Sequence, residues 1–84
     1  MKPIRLTSHA RLQCAERGAT EAEVIQTVRE GTHEPAKLGR IICRYSLSFS
    51  GTWQGKWYAA KQVAAVIREE PDEIVVVTVY TSYF

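Results

Sequence analysis

The sequence is short of most of the features that mark out a functional class. Its two cysteines, Cys14 and Cys43, have no C-x-x-C spacing, so neither a zinc ribbon nor a dithiol redox pair is encoded. With His9 and His33 they make up the whole His and Cys complement, and their spacings match no zinc pattern. No metal site and no cofactor are expected. There is no Gly-rich phosphate loop and no Gly-x-Ser-x-Gly elbow. No apolar run reaches the length of a membrane span, and the opening Met1-Lys2-Pro3-Ile4-Arg5 lacks the apolar stretch of a signal peptide. A cytoplasmic chain with no membrane partner is expected, its cysteines serving as small core residues in a reducing compartment. A dominant charge is missing as well. Eleven Lys and Arg against nine Asp and Glu give a net charge of +2, well below the footprint of a dedicated nucleic-acid binder.

What is present is a small globular composition. With 84 residues, 45% hydrophobic and 24% charged, the chain reads as one domain over residues 1–84, with no repeat or linker. A domain of this size buries roughly 60 to 65% of its unfolded surface, so its stability rests on one compact core. The acids gather at Glu21, Glu23 and Glu30 and again at Glu69, Glu70, Asp72 and Glu73. Arg5, Arg11, Arg17, Arg40, Arg44, Lys56 and Lys61 are left elsewhere, enough for a modest basic face.

The local signals are strongest near the N-terminus. Thr7 or Ser8 can cap a helix over His9–Arg17, and Gly18 can end it in the left-handed conformation. Thr20 with Glu23 is an S/T-x-x-E capping box opening a second helix, Glu21–Glu30, which buries Val24, Ile25 and Val28 and ends at Gly31. On the first helix Ala10, Leu12, Cys14 and Ala15 form the inward arc, and His9, Gln13, Glu16 and Arg17 a polar stripe. Ile4–Leu6 suits a short edge strand and 31–39 a loop. From Ile41 to Phe49 apolar and polar residues alternate as in a half-buried strand, and Ser50–Gly55 supplies a hairpin turn. Tyr58–Glu69 is ambiguous by composition, since its alanines favour helix while its place between two strand signals favours a strand. Ile74–Tyr83 is apolar on both faces through Val79, like a central strand.

The segment beginning Thr7-Ser8-His9-Ala10, continuing through Glu16-Arg17-Gly18 into an acidic second helix, and the closing Ile74-Val75-Val76-Val77-Thr78-Val79-Tyr80, together resemble a bacterial family catalogued as domain of unknown function 4258. The resemblance spans about His9 to Tyr80. That family is usually placed near the RelE-like toxins, in the barnase/EndoU/colicin/RelE superfamily of mostly metal-independent RNA-cleaving enzymes. The resemblance implies a strand for Tyr58–Glu69. The fold expected is then α+β and RelE-like: a helical hairpin on one face of a three- or four-stranded antiparallel sheet. Val24, Val28, Tyr45, Leu47 and Val77 would share the core, and the other sheet face would carry Arg44, Ser46 and Lys61.

Cleaving RNA without metal requires a base for the 2′-hydroxyl, an acid for the leaving oxygen and cations for the developing charge. His9 is the foremost candidate, since imidazole exchanges protons near neutrality; the alternative is a solvated residue of the first helical turn. Arg17 lies on the same stripe and suits a phosphate, or simply the negative end of the helix dipole. Tyr80 matches the family's final strand, and the resemblance extends a supporting role to it. Gln13, Arg44 and Lys61 are candidate substrate contacts, although Gln13 stands where family members often have a basic residue, and a solvated sheet face would account for Arg44 and Lys61 equally well. Trp53 and Trp57, flanking Gln54-Gly55-Lys56, could stack bases or cover a core or an oligomer interface. The leading reading is a toxin-type ribonuclease held in check by an antitoxin. The rivals are a non-catalytic module of the same fold binding protein or nucleic acid, and a homodimer pairing its edge strands.

Overall fold

A computed structural model describes residues 2–84. The chain runs β1 (Ile4–Leu6), α1 (Ser8–Arg17), α2 (Glu21–Glu30), β2 (Thr32–Pro35), a 3₁₀ turn at Lys37–Gly39, β3 (Ile41–Trp53), β4 (Lys56–Glu69) and β5 (Ile74–Tyr83). Five strands form one sheet in the order β1-β5-β4-β3-β2. β1 is parallel to β5, and every other neighbouring pair is antiparallel. The fold is therefore α+β, but its sheet is mixed and five-stranded rather than a three- or four-stranded antiparallel one.

The helix boundaries follow from the capping chemistry. The Thr7 hydroxyl accepts from the Ala10 N–H, and Gly18 ends α1 with φ 75°. Thr20 and Glu23 satisfy each other's backbone N–H groups in a complete capping box. Gly31 ends α2 in an extended conformation, and a Cβ there would run into the Arg44 and Thr27 carbonyls. Two strand signals were hidden. Thr32–Pro35, polar and ending in proline, reads as loop but pairs with Ile41–Arg44; its pairing is set by the neighbouring strand and not by its own pattern. The β3–β4 turn is only Gln54-Gly55, both with positive φ (51° and 82°), which matches the right-handed strand twist, so Ser50–Trp53 belong to the strand.

Both helices pack on one face of the sheet. The core joins Leu6, Ala10, Cys14, Val24, Val28, Cys43, Val63, Ala65, Ile67, Val76 and Val79, with Leu47 partly buried against it. Tyr45 is half-buried, and Val77 does not enter this cluster. Between Ile67↔Val76 and Val66↔Thr78 the β4–β5 register slips by one residue, so Val77 is the extra residue of a bulge and Val76 and Val79 take the inward positions. On α1, Leu12 and Ala15 face solvent while Gln13 is buried, the reverse of their expected placement. The opposite sheet face has no helix over it among the described residues and carries Ile42, Arg44, Ser46, Ala64, Val66, Thr78 and Tyr80 by alternation. Among the described residues no helix is long and apolar enough to cross a membrane.

Candidate functional site

β1 pairs only with Ile74–Val76, so beyond that point the outer edge of β5 would present bare backbone groups. Two side chains one turn apart on α1 cover it. Gln13 Oε1 accepts from the Val79 N–H at 2.8 Å, and Arg17 Nη1 donates to the Val79 carbonyl at 2.6 Å. The i, i+4 spacing places both on one helical face, and together they stand in for a missing strand. The Thr81 and Tyr83 hydroxyls then donate to the Arg17 carbonyl, each at 2.9 Å.

Reaching over this edge, the Arg17 guanidinium lies 5.0 Å from the centroid of the Tyr80 ring, within cation–π range. Tyr80 is 48% exposed and belongs to the open face. In register across that face, Tyr80 pairs with Ala64 and Ala64 with Arg44. Strands spaced by roughly 4.8 Å put Arg44 and Tyr80 about 10 Å apart across a small-residue floor. Most cations around the face are matched to carboxylates: Arg44 to Glu34 at 2.9 Å, Arg68 to Glu70 at 3.1 Å, and Arg5 to Glu73 at 3.0 Å. The Arg5 hydrogen bond holds the Glu73 carboxyl below its usual range. Arg17 has no carboxylate partner among the described residues. The site is a surface and not a cleft, as no cavity opens among the described residues.

The other candidates lie apart from this row. His9 is exposed in the first turn of α1. Eight residues at roughly 1.5 Å each separate it from Arg17 by about 12 Å along the helix axis, so Arg17 and Tyr80 come together and His9 does not join them. Lys61 faces the helices, not the open side. It is buried, donates to the Gly18 carbonyl at 2.9 Å, pairs with Glu23 at 2.8 Å, and lies over the Phe49 ring at 5.4 Å. Its phase with Val63, Ala65 and Ile67 was the signal available for this placement. Burial pushes the Glu23 carboxyl up, but the Lys61 and Thr20 hydrogen bonds with the Lys61 charge outweigh it, so the group sits below its usual value. Trp53 is half-buried, stacked on Tyr83 at 5.1 Å, whereas Trp57 is 61% exposed. Sequence reasoning missed Glu34, which neutralises Arg44 only because β2 is a strand.

His33 Nε2 lies 2.8 Å from the Val28 carbonyl, and among the described residues no group of three or more His, Cys, Asp or Glu comes together. Both thiols are free and buried; burial raises Cys14 and pushes Cys43 up to about 11. They are poor nucleophiles in this state.

No curated protein and no solved structure matches the chain. The sequence model of the family described as Domain of unknown function (DUF4258) matches residues 6–81, from the end of β1 into the last turns of β5, and the chain belongs to that family.

Proposed function

We propose that the protein is RNA-directed, a RelE-like toxin-type chain that binds single-stranded RNA on its open sheet face and is countered by an antitoxin protein. The observation that carries the reading is the Arg17–Tyr80 pair: a guanidinium without a carboxylate partner among the described residues, over an exposed ring and in line with Ala64 and Arg44. Such a row offers a stacking surface for a base and two guanidinium forks for phosphates. Trp57, exposed at the hairpin, lies about 23 Å along β4 from Ala64 and is a separate stacking candidate. Because Arg44 must exchange Glu34 for phosphate, binding is weak and salt-sensitive.

Titration of the tryptophan fluorescence with a short single-stranded RNA at low and high salt tests this. Affinity should fall steeply with salt through counterion release. Tyr80→Ala should weaken it by about 5- to 150-fold, the loss of one stacked base. Binding that ignores salt, or that Tyr80→Ala leaves unchanged, refutes the reading.

The juxtaposition of Arg17 and Tyr80 also favours a second reading, cleavage of that RNA, with His9 as acid or base reached by RNA that runs along α1. Wild-type protein freed of any antitoxin should then cut RNA in the presence of a chelator, with or without ribosomes, and His9→Ala should slow cutting by about 100-fold or more. Binding without cleavage under all those conditions leaves the protein a non-catalytic RNA-binding module.

A further inference from the structure

The two edges of the sheet are treated differently. The β5 edge is covered by Gln13 and Arg17, as described above. The β3 edge is covered by β2 only from Ile41 to Arg44, and from Tyr45 to Trp53 no strand or helix lies beside it among the described residues. Alternation shows which backbone groups face outward there. Ala60 exchanges both its hydrogen bonds with Phe84 on the β5 side, so Lys61 and Val63 face β3. Their partners Leu47 and Tyr45 therefore face inward, and Ser46 and Ser48 turn their N–H and C=O groups to the open edge.

This edge lacks two of the usual protections. Tyr45-Ser46-Leu47-Ser48-Phe49-Ser50-Gly51-Thr52-Trp53 contains no charge and no proline, the two devices that most often keep an edge from pairing. Its neutrality makes it a poor site for RNA or for a charged peptide. Its residues Tyr45, Leu47 and Phe49 are only half-buried.

We infer that the open edge of β3 pairs antiparallel with the same edge of a second copy, making a two-fold dimer with a continuous ten-stranded sheet. The axis passes at Ser48. Ser48 of each copy exchanges two hydrogen bonds with its equivalent, and Leu47 packs beside Phe49 of the second copy, twice. In this register Arg44 of the second copy lies opposite Thr52, so its β2 meets only the tip of the β3–β4 hairpin. The bulge between Ser48 and Gly51, where Ser50 has φ 47°, bends β3 at that point. The inference does not depend on RNA binding, which uses the open face and not this edge.

Sedimentation equilibrium at roughly 100 µM chain, where a small interface still associates, should show a dimer. Ser48→Pro removes an outward N–H with no partner inside the chain, and should give a monomer with an unchanged circular dichroism spectrum. Because proline beside the bulge could unfold the strand, Ser48→Cys supplies an independent readout. In a hydrogen-bonded antiparallel pair the two Cα atoms are about 5.5 Å apart, within disulfide reach. Mild oxidation should crosslink Ser48→Cys at least about tenfold faster than Ser82→Cys, an exposed control on β5, because the paired thiols hold each other at high effective concentration. A monomeric wild type, a dimer that survives in folded Ser48→Pro, or equal crosslinking of the two cysteine variants would each overturn the inference.

Discussion

Glu23→Gln should destabilise the protein more than Lys61→Met, although both remove one side of the same ion pair. The Lys61 side chain is 5% exposed and that of Glu23 is 25% exposed. Gln keeps the capping box, since an N3 amide can accept from the Thr20 N–H, so the substitution isolates the charge. It leaves a buried ammonium with the Gly18 carbonyl and a neutral amide oxygen. Stranding one member of a fully buried pair costs 3–5 kcal/mol; partial exposure and the remaining acceptor bring this to about 2 kcal/mol. Lys61→Met conserves the stem and lets the more exposed carboxylate reach water, for about 1 kcal/mol. In the double variant the stranded ammonium is gone, so it should be no less stable than Glu23→Gln alone. Urea unfolding followed by tryptophan fluorescence measures all three, and in a domain this small 2 kcal/mol corresponds to roughly 8–16 °C in Tm. The pH dependence supplies a second check. The Glu23 carboxyl lies below its ordinary value in the folded protein, so its contribution is present above the unfolded pKa and lost as pH falls through the folded one. The gap between wild type and Glu23→Gln should close as pH drops below about 4.5. Equal or reversed costs for the two single variants, or a gap that is constant with pH, would refute the reasoning.

Gly18→Ala should cost at least about 2 kcal/mol in the same assay, because a Cβ at φ 75° would meet the Tyr83 Oη at 2.5 Å and the Trp53 ring at 2.6 Å. Gln13→Leu should cost about 1–3 kcal/mol by leaving the Val79 N–H without a partner, and its hydrogen-exchange signature should be confined to β5. Val28→Ala, with its side chain 3% exposed, should lose about 2 kcal/mol in thermal melts, while the half-buried Leu47 should lose less until β3 is paired. Cys14 and Cys43 should stay unmodified by a thiol reagent at pH 8 and react on unfolding, as two buried thiols with raised pKa values require.

The parts of the fold written locally were legible, and those set by pairing were not. Thr7, Gly18 and the Thr20–Glu23 box delimit both helices because each acts within four residues of itself. The alternation of Ile41–Phe49 and the apolar Ile74–Val79 identify their strands for the same reason. β2, the parallel attachment of β1 and the bulge at Val77 have no local signature, since each depends on a strand distant in sequence. Side-chain type misled where backbone needs outweighed it. Gln13 looks like a surface residue of a polar stripe, yet an unpaired Val79 N–H draws it inside; Lys61 looks like a sheet-face cation, yet the bare Gly18 carbonyl and the Glu23 carboxylate hold it in the core.

That distinction bears on function, because α1 cannot spend a side chain twice. Gln13 is committed to Val79, and one Arg17 nitrogen is as well, so Arg17 contacts a ligand only with the donors that remain. Their direction is fixed by the stack on Tyr80, which makes the pair a rigid fixture of the β5 edge and not a mobile arm. A rigid guanidinium beside an exposed ring loses little entropy on binding and recognises shape well. It cannot travel to His9, so any reaction at His9 needs the RNA to bridge the length of α1. For this reason Arg17→Lys is the more informative change at this edge. The ammonium can keep the bond to the Val79 carbonyl but not the fork, so it should leave the fold nearly intact while weakening RNA binding. If the variant binds as well as the wild type, Arg17 closes the β5 edge and does nothing more.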